Sequence, residues 1–153
     1  MELKFTAYHP YPEFMLYDKD KIVAQSKLDL DAKAFRIRCF NTRRAFLIYD
    51  EVIKNKPVTT LLNEYSHPLA KLINTGIGNN AGTIELEGSF YNYRINDSKE
   101  VIIYKSNSTD SLLTCIVRAD EKMFSLENYM NYILFSLVWF IYSSKEAKAP
   151  QLV

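Results

Sequence analysis

Residues Tyr129 to Tyr142 read YMNYILFSLVWFIY, a run of fourteen that is apolar on every face of a helix. One stripe carries Leu126, Met130, Ile133, Leu137 and Ile141; the opposite stripe carries Tyr129, Tyr132, Phe135, Trp139 and Tyr142. A helix with no polar face has to be surrounded on all sides, by lipid or by protein. Ser125 is placed to cap its start, Phe124 and Tyr129 stand at the positions of a hydrophobic staple, and Glu127 faces the positive end of the dipole. Lys145, Lys148 and Pro150 suit the other end. The expected helix spans residues 125–146, with 147–153 as a flexible tail.

The run is short for a bilayer. A spanning helix needs roughly 20 apolar residues, and runs of about 10–14 are more often buried core helices. Here Glu127 and Asn128 lie on one side, and Ser143, Ser144, Lys145 and Glu146 on the other. A tail anchor is the alternative, with Trp139, Tyr142 and Lys145 as its interfacial residues.

The preceding chain supplies an enclosure of its own. Phe14-Met15-Leu16-Tyr17, the Asp18-Lys19-Asp20-Lys21 turn and Ile22-Val23-Ala24 read as a hairpin. Phe35, Ile37 and Cys39 alternate with Arg36 and Arg38, and Ala45 to Tyr49 returns after Asn41-Thr42. Thr83 to Gly88, Tyr91 to Ile95, Val101 to Tyr104 and Leu112 to Val117 continue the pattern, separated by turn-rich segments. Asp50 to Asn74, broken by Pro57 and Pro68, is read as strands, with short helices as the alternative. Such spacing predicts a mainly β chain with one long C-terminal helix, an antiparallel β-barrel wrapped around that helix. At 153 residues the chain suits a single domain, residues 1–146.

Chemistry is harder to find. His9 and His67 each precede a proline in turn-like sequence, and no second ligand stands at a metal spacing, so neither metal nor cofactor is expected. Glu64 beside His67 is the one acid–base pairing that proximity offers. Gly76-Ile77-Gly78-Asn79-Asn80-Ala81-Gly82 departs from phosphate-loop spacing and runs into a strand, so it reads as an interstrand loop. Cys39 and Cys115 read as buried thiols of a reducing compartment. With no GxSxG elbow, nucleophilic catalysis is not expected. A net charge of +1 argues against nucleic-acid binding by bulk electrostatics. Met1-Glu2-Leu3-Lys4 opens without an apolar leader, so the expected location is cytoplasmic.

One charged cluster carries weight. Arg36 and Arg38 share the outward face of a strand, and Arg43-Arg44 opens its hairpin partner. Guanidinium groups so placed suit phosphates, as on a phosphoinositide head group or an anionic bilayer. The competing reading is a solvated face whose charges protect a sheet edge.

Short alternating strands closed by the helix of Ser125 to Ser144, together with the run GTIELEGSFYNYRIND (Gly82 to Asp97) followed by EVIIYK, resemble the tubby C-terminal-like superfamily. That group includes the tubby proteins, the LURP-one-related proteins and the phospholipid scramblases. The resemblance implies an antiparallel barrel threaded by a hydrophobic helix, and membrane or lipid association as in some members. The chain is shorter than members with twelve strands, which implies a trimmed barrel. It carries no matching calcium or phosphoinositide motif, so no family residue is transferred.

The expected function is a non-catalytic binding or scaffold module, its partner an anionic phospholipid or a protein, peripheral at the inner membrane face. Arg36, Arg38, Arg43 and Arg44 are the expected anion-binding residues. A helix-grip domain holding an apolar small molecule is the alternative, with Tyr91 or Tyr93 as polar contacts, helices within Asp50–Asn74 and an internal cavity. The tail-anchored protein is the third reading.

Overall fold

The computed structural model describes residues 1–6, 11–74, 80–119 and 126–148. Eleven strands follow one another round a closed barrel. They are β1 (Glu2–Thr6), β2 (Glu13–Asp18), β3 (Lys21–Asp29), β4 (Ala34–Cys39), β5 (Thr42–Ile53) and β6 (Lys56–Leu62), then β7 (Pro68–Asn74), β8 (Ala81–Leu86), β9 (Ser89–Ile95), β10 (Glu100–Lys105) and β11 (Ser111–Ala119). A short 3-10 turn, Leu126–Tyr129, leads into the helix α1, Met130–Lys148. Consecutive strands are antiparallel, but the pair that closes the barrel, β1 with β11, is parallel. The parity of the strand number requires this: in an odd up-and-down series the first and last strands run the same way.

The strand count also fixes what fits inside. Eight strands close around side chains alone, whereas eleven leave room for a helix. Ile133, Leu134, Phe135, Leu137 and Val138 are each at most 1% exposed, and Met130, Trp139, Phe140 and Ile141 are each 7% exposed. Every face of α1 between Met130 and Ile141 is therefore covered. The wall supplies the cover from alternate positions, among them Phe35, Ile37 and Cys39 on β4, Phe46 and Ile48 on β5, and Ile84 and Leu86 on β8. Edge-on contacts of Phe35 with Tyr132 (6.0 Å) and of Phe46 with Trp139 (5.1 Å) join wall to helix. Two polar side chains on the helix are matched as well, whereas the buried Trp139 Nε1–H has no hydrogen-bond partner among the described residues. Ser136 and Ser26 share a hydrogen bond of 3.2 Å, and Asn131 donates to Thr59, whose hydroxyl donates to Asp50.

The helix runs to Lys148, past the end expected at 146. The expected cap and staple, Ser125 and Phe124, lie outside the described residues, as do His9, the segment 75–79 and Pro150. No helix among the described residues is long and apolar enough to cross a membrane. The tail-anchor alternative also fails on packing, because the apolar helix is already sheathed by the sheet. Residues 50–74 form strands and a loop, not the helices that a helix-grip domain predicts. Pro57 is tolerated because it lies beyond the pairing of β6 with β7, and Pro68 because it opens β7 at a register shift.

Gly82, grouped in sequence with the loop, lies in β8 beneath a side chain. Tyr93 of β9 is 2% exposed and crosses directly over it, its hydroxyl donating to the Asn74 side chain. Burial pushes the Tyr93 phenol up to about 12 and the Cys115 thiol, also fully enclosed, up to about 12. Cys39 is raised by the same cause, only partly opposed by Ser143 and Thr42. Both cysteines are free and buried, and thiols held protonated in this way are inert toward nucleophilic chemistry.

Candidate functional site

Cross-strand register brings a basic surface together on the outer wall of β3, β4 and β5. Gln25 stands opposite Arg38, and Arg38 opposite Arg43; in the next outward row Lys27 stands opposite Arg36, and Arg36 opposite Ala45. These residues line a depression of about 460 Å³, together with Ile37, Arg44 and Glu64. A second depression of about 640 Å³ shares Lys27, Arg36, Ala45 and Glu64 and continues toward Tyr11, Leu47 and Asn63.

Two of these cross-strand pairs, Arg38 with Arg43 and Lys27 with Arg36, set like charges directly opposite each other, which weakens a sheet. Among the described residues one acid stands in register with the cluster, Glu13 opposite Lys27 across β2 and β3, and no ion pair joins them. Arg38 donates to the Gln25 amide oxygen at 2.8 Å, and the Gln25 amide nitrogen donates to Glu13. Among the described residues the ion pairs are Arg44 with Glu64 and Arg118 with Glu2. Lys27, Arg36 and Arg43 have no carboxylate partner among them.

Arg44 belongs to the depression by a different route. Arg43 and Arg44 are neighbours on a strand, so they point to opposite faces. Arg44 turns to the inner side at the barrel mouth, its guanidinium 5.2 Å from the Phe46 ring centre and 5.0 Å from that of Trp139. It grips Glu64 with two hydrogen bonds of 2.8 and 2.9 Å. Those hydrogen bonds hold the Glu64 carboxyl below the usual carboxylate range and raise the Arg44 guanidinium. Glu64 sits in the β6–β7 loop, which Asn63 organises by accepting from the backbone N–H groups of Tyr65 and His67. Glu64 is therefore paired with Arg44, and His67 lies exposed three residues further along the loop. Arg44 is the clasp at the edge of the site, and Arg36, Arg38 and Arg43 are cations without an ion pair among the described residues.

The edge-protection reading of this cluster does not survive closure of the barrel. β4 is hydrogen-bonded on both sides, to β3 and to β5, so it has no edge to protect. Lys27 is the residue that sequence reading missed. It comes from the strand before Arg36, and only the β3–β4 register reveals the adjacency.

What the surface can do follows from its parts. Three guanidinium groups and an ammonium over adjacent strands offer many donors and no acceptor, a match for phosphate oxygens. No group of three or more His, Cys, Asp or Glu that could hold a metal ion is found among the described residues. In comparisons with known proteins, no family model, no curated protein and no solved structure matches this chain.

Proposed function

We propose that this chain is a non-catalytic binding module whose outer wall docks on a phosphate-bearing anionic lipid surface, as a peripheral protein at the inner face of a membrane. The observation that carries the reading is the stacking of two like-charge pairs, Lys27 with Arg36 and Arg38 with Arg43, in one depression, none of the four in an ion pair among the described residues. Such pairs cost stability in the free protein, and a bound anion would relieve them. A relationship to the tubby C-terminal-like superfamily belongs to the same proposal. It is supported by a helix threading a closed barrel, here of eleven strands.

Vesicle flotation tests it. The protein is expected to float with phosphatidylserine-containing vesicles at low salt, not with pure phosphatidylcholine, and to be released as salt rises. Each surface cation is worth about 1 kcal/mol toward an anionic membrane, so Arg36→Gln with Arg38→Gln should weaken binding roughly 30-fold while leaving the thermal midpoint unchanged or raised. Failure of the parent protein to float at low salt would end the lipid reading.

A further inference from the structure

The hairpin that joins β5 to β6 stands clear of the barrel. Pairing of β5 with β4 ends at Leu47 opposite Ala34, followed only by a 2.8 Å hydrogen bond from the Ile48 N–H to the Lys33 carbonyl. Pairing of β6 with β7 starts at Val58 opposite Ile73. The backbone of residues 49–57 is thus laddered only within the hairpin, from Tyr49 opposite Thr60 to Ile53 opposite Lys56. Lys54 and Asn55 close it with φ of 51° and 65°, the left-handed pair of a tight two-residue turn.

A ribbon projecting into water would be expected to carry polar side chains. This one does not. Val52 is 73% exposed and Ile53 40%, with Tyr49 at 55% behind them, while Lys54 lies in the turn and Lys56 follows it. Of the hairpin's acids, Asp50 accepts from the Thr59 hydroxyl at 2.8 Å, and Glu51, next to Val52, is partly buried. Along one face of β5, the alternate positions Arg43, Ala45, Leu47, Tyr49, Glu51 and Ile53 lead from the basic depression to the tip, with Glu51 as the one acid in the row.

We infer that the Val52–Ile53 tip inserts into the interfacial zone of an anionic bilayer, with Lys54 and Lys56 at the level of the head groups. The inference rests on the proposed lipid reading and deepens it. A free phosphate would engage the cations and leave the aliphatic tip in water; a bilayer engages both, through charge and through apolar burial. The ligand of the basic wall is on this account a membrane surface, not a soluble phosphate.

The test places an environment-sensitive fluorophore on Val52→Cys. Cys39 is 4% exposed and Cys115 0%, so labelling is directed to the new thiol. Phe90→Cys, at a residue 48% exposed on β9, serves as the control away from the hairpin. On phosphatidylserine-containing vesicles the label at 52 is expected to shift to the blue and become shielded from acrylamide, while the label at 90 stays in water. Inorganic phosphate should change neither. Val52→Ser with Ile53→Ser, which keeps every cation, should weaken flotation roughly tenfold. Vesicle binding with the label at 52 still fully aqueous would overturn the insertion and leave the lipid reading standing. Absence of vesicle binding by the unlabelled parent would remove the lipid reading and the insertion together.

Discussion

A chain ended at Ala119 is expected to lose its cooperative fold altogether. The strands would survive as sequence but would have nothing to close around. Met130, Ile133, Leu134, Phe135, Leu137, Val138, Trp139, Phe140 and Ile141 are all buried against the wall. At about 1.5–3 kcal/mol per large apolar side chain, this burial amounts to roughly 15–25 kcal/mol gross, against a typical net stability of about 5–15 kcal/mol. The wall also loses Ser136 and Asn131, the partners of Ser26 and Thr59. The truncated chain should show no cooperative thermal transition, poor amide dispersion and strong binding of a hydrophobic dye. A sharp transition with native-like β spectra would mean that the sheet holds itself together without the helix.

The largest effect expected of a single methyl group is at Gly82. A Cβ there would lie 2.6 Å from the Tyr93 ring and closer still to the carbonyl oxygen of Ile73. Neither neighbour yields easily. Ile73 is paired across the ladder with Thr83, and Tyr93 is enclosed and hydrogen-bonded to Asn74. Gly82→Ala should therefore cost about 3 kcal/mol or more, at the upper end for overpacking. Denaturant unfolding measures it directly. Gly88→Ala is the companion: it has φ of 79° but nothing within reach of a Cβ, so its cost comes from backbone strain alone and should be about 1 kcal/mol. Equal costs at the two positions would contradict the packing of Tyr93 over β8.

Much of this architecture is legible in the residues because most strands alternate cleanly and the helix does not. Phe35, Ile37 and Cys39 announce an inner face, and their burial follows. The apolar run from Tyr129 announces a surrounded helix for the same reason. The segment from Asp50 to Asn74 is harder, since Pro57 and Pro68 mimic strand breakers. Their tolerance depends on where pairing starts and stops, which is a property of register. Register also hides one member of the basic site. Arg36 and Arg38 can be placed outward from alternation alone, whereas Lys27 joins them only when β3 is laid beside β4. Alternation should have separated Arg43 from Arg44; reading them as one cluster overlooked that neighbours on a strand face opposite ways. What Arg44 turns toward, Trp139 and Glu64, lies far along the chain and has no local signal. The overhanging Val52–Ile53 tip is likewise invisible until the lengths of β4, β5 and β6 are compared.

The central claim is that the chain's own barrel sheathes its apolar helix. Trp139 is the chain's only tryptophan, sits in that helix and is 7% exposed, so its fluorescence reports on the claim without any mutation. Acrylamide quenching of the monodisperse native protein should be weak, with blue-shifted emission, and should rise to the free-indole level only as the protein unfolds in denaturant. Native quenching as efficient as that of free indole would show the helix open to water and would contradict the account.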